Sequence, residues 1–376
     1  MTEGIQEIVA GLPELKDVAG VCAVADARVA RGDAAFAADL GVALARAYGR
    51  AEPLWQYRSL FGHLLRLLAT TAGPENVTEA LRLVSSPEAA DRRRDRHVAS
   101  LLASCRRPEE LAVVFSGHAS EELRACLVHE LVLRGVAVDE EPGIARWARS
   151  PHWRYHPLGW LPLTRSGMED GADLPSYSLR GSSHAMPYGP SEGVPYRGTG
   201  GARVPSAAEV TPPPQLAAAL SSAVANWAEE SNGVVEARVF DLAGPPADEA
   251  VPATLLTLGL ESLAGVGRKK AALSVSACPP GQAWRVLFAA ASTGGAYNSG
   301  SHGAYGRLAA WQSLAALAGV ADGAGAAEIE ARAAECAWFG FDARTDWFEQ
   351  VAWDIGLAAL APDRRRLAVL AATDTD

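Results

Sequence analysis

The sequence predicts an α+β protein: an N-terminal all-α helical domain (HEAT-like or a bundle) over residues 1–150, an irregular connector over 151–213, and a C-terminal α/β domain with a mixed sheet over 214–376. Three observations predict it. Apolar residues recur at three- and four-residue spacing up to about residue 149. A stretch rich in Gly, Pro, Ser and Tyr follows, closing on Thr211-Pro212-Pro213-Pro214. From residue 215 onward, helical and strand-like patterns alternate. A chain of 376 residues also exceeds the roughly 250–300 at which one core stops growing, so two domains are expected.

In the first domain the helical stripe is carried by Phe36, Ala37, Leu40, Ala43, Leu44 and Tyr48, then by Leu60, Leu64, Leu67 and Leu68, and later by Leu123, Cys126, Leu127 and Leu131. Helix starts are marked by Asn76 with Glu79 three residues on, by Arg107-Pro108-Glu109-Glu110, and by Ser120-Glu121-Glu122, each placing carboxylates at the positive end of a helix dipole. The connector is too rich in aromatic residues and histidine for a plain flexible linker; partial ordering, as a lid, is expected.

The C-terminal pattern reads as a helix over 216–230, a strand over 234–240, a helix over 253–263, and strands over 272–277 and 284–290 joined as a hairpin through Cys278-Pro279-Pro280-Gly281. Helices at 304–319 and 325–334 follow. Then come a strand at 336–341, a helix over 346–360 burying Phe348, Val351, Ala352 and Ile355, and a last strand at 366–372.

Composition removes several function classes. A net charge of −10 opposes broad contact with a phosphate backbone, so no nucleic-acid partner is expected. Arg92-Arg93-Arg94-Asp95-Arg96 reads as a solvated helix face. No apolar run reaches the roughly 20 residues of a membrane span, and the acidic start is unlike a secretion signal; a cytoplasmic protein without membrane contact is expected. The five scattered cysteines suit reduced thiols.

Chemistry is concentrated in the run from Ser292 to Arg307, whose glycines allow backbone N–H groups to approach a ligand. Read as a loop entering a helix N-terminus, it offers Gly294, Gly295, Asn298, Ser299, Gly300, Ser301, His302, Gly303 and Arg307 to a small anionic group. Neither the phosphate loop ending in Lys-Ser or Lys-Thr nor the dinucleotide G-x-G-x-x-G spacing is present, and no cofactor is implied. Were the protein an enzyme, Tyr297, Ser301, His302 and Asp342 would be its catalytic candidates.

Other motifs carry less. His152 and His156 stand four apart, with His184 or Glu169 as a third metal ligand, but flanking prolines leave room for one helical turn, and no metal site is assigned. Gly189-Pro190-Ser191-Glu192-Gly193 lacks the strand and helix a nucleophile elbow needs. Asp342, Asp346, Glu349, Asp354, Asp374 and Asp376 are candidates for a pair of acids.

At the glycine-rich loop, at Trp338-Phe339-Gly340-Phe341, at Asp346 to Asp354 and at the closing Ala371-Ala372-Thr373-Asp374-Thr375-Asp376, the C-terminal half resembles an actinobacterial protein family of unknown function. The resemblance implies a bacterial cytosolic setting and assigns no catalytic residue. The expected function is a binding or interaction protein whose helical domain docks a protein partner and whose loop holds a small anion. The alternative is a hydrolase or transferase using that loop as its substrate site.

Overall fold

The structure, a computed structural model, describes residues 2–49, 54–86, 91–184, 204–266, 272–321, 323–348 and 353–375. Contacts divide the chain into two units. One comprises Met1–Thr164 with Leu174–His184, the other Arg165–Asp173 with Ala185–Asp376. The expected boundaries of 1–150, 151–213 and 214–376 are thus redrawn: the connector is shared out, with 165–173 going to the second unit and 174–184 returning to the first. Gly189–Gly193, the G-x-S-x-G match, lies outside the described residues.

The first unit is built from α1 (Thr2–Gly11), α2 (Ala19–Val29), α3 (Ala34–Tyr48), α4 (Trp55–Thr70), α5 (Pro74–Val84), α6 (Arg92–Cys105), α7 (Ala112–Ser116), α8 (Glu121–Leu133), α9 (Pro142–Trp147) and α10 (Pro151–Tyr155), with a small hairpin of β1 (Ser176–Ser178) and β2 (Gly181–Ser183). The predicted stripes are its core: Leu40, Leu44, Leu60, Leu64, Leu68 and Leu127 have no solvent exposure. Ser120 caps α8 by accepting the Leu123 N–H at 3.0 Å. At α5 the start differs from expectation. Pro74 occupies the first helical position after Gly73, and Asn76 lies within the first turn, its Nδ2 donating to the Ala72 carbonyl. Tyr177 fastens the hairpin by donating its hydroxyl to Ser100 Oγ at 3.1 Å, and burial pushes its phenol up to about 12.

The second unit holds a six-stranded sheet in the order β3 (Ala207–Val210), β4 (Val234–Leu242), β8 (Arg366–Asp374), β7 (Trp353–Leu360), β6 (Ala337–Ala343), β5 (Leu273–Cys278). All five pairings are antiparallel, which corrects the expected mixed sheet. The reason lies in residues 353–360, expected as the end of a helix. They form β7, and with it β6, β7 and β8 follow one another through connections too short for a parallel crossover. β7 and β8 are central and buried on both faces, so their sequences lack the alternation of a half-exposed strand. Gly356 is required there, since a side chain would drive into the Phe341 carbonyl and ring.

The second correction concerns residues 284–290. They belong to α14 (Pro280–Thr293), not to a strand of a hairpin, and β5 pairs with β6 instead. Pro280 opens this helix, and Ala283, Trp284, Leu287, Phe288 and Ala291 are buried at helical spacing. The remaining helices are α11 (Pro214–Ser221), α12 (Ala225–Glu230), α13 (Val251–Thr257), α15 (His302–Ala318) and α16 (Ala326–Glu335). The expected helix over 216–230 is therefore broken, by a 3-10 turn at Ser222–Val224.

One sheet face joins Phe339, Phe341, Leu367 and Val369 to Val251 and Leu255 of α13. The alternate residues face the other way, where α14 packs on α15 and α15 runs against β7 and β8. No helix among the described residues is long and apolar enough to cross a membrane.

Candidate functional site

The glycine-rich run joins two helices rather than following a strand hairpin. α14 ends at Thr293, Gly294 turns the chain with φ +84°, and α15 begins at His302. Asn298 is the hub of the loop. Its Oδ1 accepts the N–H groups of Gly295 (2.9 Å) and Gly300 (3.2 Å), while its Nδ2 donates to the Asn226 carbonyl at 2.5 Å. Ala296 N–H donates to Asp374 Oδ2 at 2.6 Å, Tyr297 N–H to Ser231 Oγ at 3.1 Å, and Ser301 N–H to the Ala291 carbonyl at 2.8 Å. Gly295 is glycine because any Cβ there would collide with the Asp374 carboxylate.

This arrangement has a chemical consequence. The loop presents the Ala296 N–H to a negative group, and the chain supplies that group itself. Asp374, at the end of β8, is 1% exposed, and its Oδ1 has no hydrogen-bond partner among the described residues. Of the donors expected for an outside anion, the N–H groups of Gly295 and Gly300 serve Asn298 and that of Ser301 serves the Ala291 carbonyl.

Arg307, expected as the anion's charged partner, is turned inward with no solvent exposure. Its Nε donates to Glu169 Oε1 at 2.6 Å and its terminal nitrogen to Oε2 at 2.8 Å. The same carboxylate accepts Trp311 Nε1–H at 2.7 Å and the Ser166 N–H at 2.9 Å. Glu169, a candidate metal ligand in the sequence, is therefore saturated by four donors.

The other candidates scatter. Tyr297 is 61% exposed at the loop tip, and Ser299 is exposed beside it. Gly303 is buried in the first turn of α15, and Ser301 and His302 are half-buried at its start. His302 is one of two non-glycine residues of positive φ among those described, at +58°. Asp342 lies on β6 opposite Ser274.

Register excludes one acid pair: Trp353 faces Asp374 and Asp354 faces Thr373, so Asp354 and Asp374 point to opposite faces of the sheet. Asp342 and Asp374 share a face but stand two strands apart and two residues out of line, roughly 12 Å. Glu349 and Asp376 lie outside the described residues. His156 turns to Glu122, its Nε2 3.2 Å from Oε2, while His152 and His184 are exposed. Among the described residues no group of three His, Cys, Asp or Glu side chains is placed to hold a metal ion.

The first unit carries a feature no sequence motif marked. α1, residues 15–17 and α2 line an open cleft of about 370 Å³ whose walls include Ile8, Leu15, Val21 and Val24 together with Lys16 and Asp17. Val24 is 48% exposed, and α2 buries only Ala25 and Val29. Gln56, on the first turn of α4, holds the cleft's wall by donating Nε2 to the Pro13 and Leu15 carbonyls. Its neighbour Trp55 is 49% exposed. The available signal was α2 itself, whose apolar residues form no single stripe and whose charged residues, Asp26 and Arg28, both lie in its C-terminal half.

Fold and site thus define a two-unit α+β protein, helical in its first unit and built on an antiparallel sheet in its second. A profile described as a family of unknown function (DUF6183) matches residues 19–376, and the chain belongs to that family. The match spans both units, so the likeness is not confined to the C-terminal half. No curated protein and no solved structure matches the chain.

Proposed function

We propose that this is a bacterial, cytoplasmic binding protein that docks a protein partner on its helical unit, at the cleft between α1 and α2. The observation that carries the reading is the apolar wall of that cleft: Val24 is 48% exposed beside half-buried Val21 on α2, which buries only Ala25 and Val29. A partner's apolar side chains would enter there, and Lys16 and Asp17 would set their orientation. The glycine-rich loop enters this reading as a brace, because the N–H groups of Gly295, Ala296, Tyr297, Gly300 and Ser301 are bonded within the chain. The test is a photo-crosslinking residue at position 24 in cells. A single partner protein should be captured from there, lost with Val21→Asp, and absent when the crosslinker stands at exposed Glu140. Equal capture from both positions would defeat the proposal.

The enzyme reading draws on one observation, the left-handed backbone of His302 beside the loop. It requires a small molecule retained by the purified protein in native mass spectrometry and lost with His302→Ala.

A further inference from the structure

The tip of the glycine-rich loop is a surface of its own. Tyr297 stands there 61% exposed, and Val234, at the start of β4, is 50% exposed. The two are linked through one short segment, since Tyr297 N–H donates to Ser231 Oγ three residues before Val234. Aromatic and aliphatic side chains this exposed, on a backbone this firmly held, lose little freedom when a partner covers them. The holding is the set of bonds through Asn298, Asp374, Asn226 and Ser231 already described.

Charge chooses the partner. Residues 214–237, 292–306 and 367–376, which carry the tip and the strands beside it, contain no Lys or Arg, and Arg344 at the same end of the sheet follows β6, two strands from β8. They contain Glu229 and Glu230, both exposed beside Ser231, and the buried Asp374, whose Oδ1 has no partner among the described residues. The field over the tip is therefore negative, which repels nucleic acid and anionic lipid and attracts cations. A phenol ring at the centre of such a field suits a guanidinium, which lies flat on an aromatic face and also pairs with carboxylates.

We infer that the Tyr297 tip, with Val234, Glu229 and Glu230, docks an arginine-containing basic segment of a protein partner. The surface is separate from the α1–α2 cleft, and the inference does not depend on that site.

The test is fluorescence anisotropy at low salt, with the full chain and a labelled peptide of alternating arginine and glycine; a glutamate-for-arginine peptide is the control. Tyr297→Ala should weaken binding roughly two- to five-fold, the scale of an exposed cation–π contact, and Tyr297→Phe should restore it. Glu229→Lys with Glu230→Lys should weaken it on the order of tenfold or more. Asp139→Lys with Glu140→Lys, an equal charge change at exposed residues of the other unit, should leave it nearly unchanged. Unaltered melting curves would show that each variant is folded. The inference is overturned if the tip variants bind like wild type or like the paired Asp139→Lys, Glu140→Lys variant, or if the glutamate peptide binds equally. Self-association abolished by the paired Glu229→Lys, Glu230→Lys substitutions would also overturn it, by giving the surface to a second copy.

Discussion

Glu169 and Arg307 stand 138 residues apart in the chain, yet they form a two-point ion pair from which water is wholly excluded. An ion pair so buried is stable only while both partners are present, because removing one leaves a charge in a medium of low dielectric. Glu169→Gln or Arg307→Met alone should cost about 3–5 kcal/mol in urea unfolding. Glu169→Leu combined with Arg307→Met should cost clearly less than the sum of the single changes, and strict additivity would mean that the pair is not coupled.

The fit of Gly295 against Asp374 gives a second prediction. Gly295→Ala forces a methyl group into the carboxylate and should destabilise the second unit by roughly 1–3 kcal/mol. Asp374→Ala should cost a similar amount by leaving the Ala296 N–H without its acceptor, about 1–3 kcal/mol. Together they should cost less than their sum, because the methyl group then fills the space of the lost carboxylate.

A third concerns anions. With the N–H groups of residues 295, 296, 297, 300 and 301 all bonded within the chain, sulfate or inorganic phosphate should raise the melting temperature no more than chloride of equal ionic strength. A saturable stabilisation by phosphate, lost with His302→Ala, would restore the loop as an anion site.

A fourth is a pH dependence. Burial raises the Asp95 carboxyl above its ordinary value of 3.8, helped by the charges of Glu122 and Asp91 and opposed by the Ser120 hydroxyl. Between 3.8 and that raised value the folded state holds more protons than the unfolded one, so stability falls as pH rises through this window. Above it the loss is complete. Asp95→Asn should therefore stabilise the protein at neutral pH, with a gain that shrinks on acidification towards 3.8; a gain independent of pH would contradict the assignment.

Much of the architecture was legible, and its failures have physical causes. The helical unit was readable as far as α9 because helices such as α3, α4 and α5 bury one stripe each, whereas the short α10 fell in the expected connector. In the second unit, Trp284-Arg285-Val286-Leu287-Phe288 combines aromatic and β-branched residues in strand fashion, and only Pro280 in front signals the helix. Residues 353–360 show the converse. Leu357, Ala358, Ala359 and Leu360 have helical propensity, but a strand buried on both faces shows no alternation to betray it. The loop was found because its glycines stand among a concentration of hydroxyl, amide, imidazole and phenol groups. What it binds was not, because Asp374 and Asn226 come from distant parts of the chain, as Glu169 does for Arg307.

The path of the chain between its two units has a temporal side. Glu169 belongs to the second unit but leaves the ribosome long before the helix that neutralises it. At about 5–20 residues per second, the 138 residues to Arg307 take roughly 7–28 s to synthesise. Throughout that interval the nascent chain carries a carboxylate destined for a dry site, together with the segment 174–184 that completes the first unit. The helical unit can close as soon as His184 emerges, whereas residues 165–173 must wait for α15. Slowing translation between residues 184 and 307 would lengthen that wait without altering the finished fold.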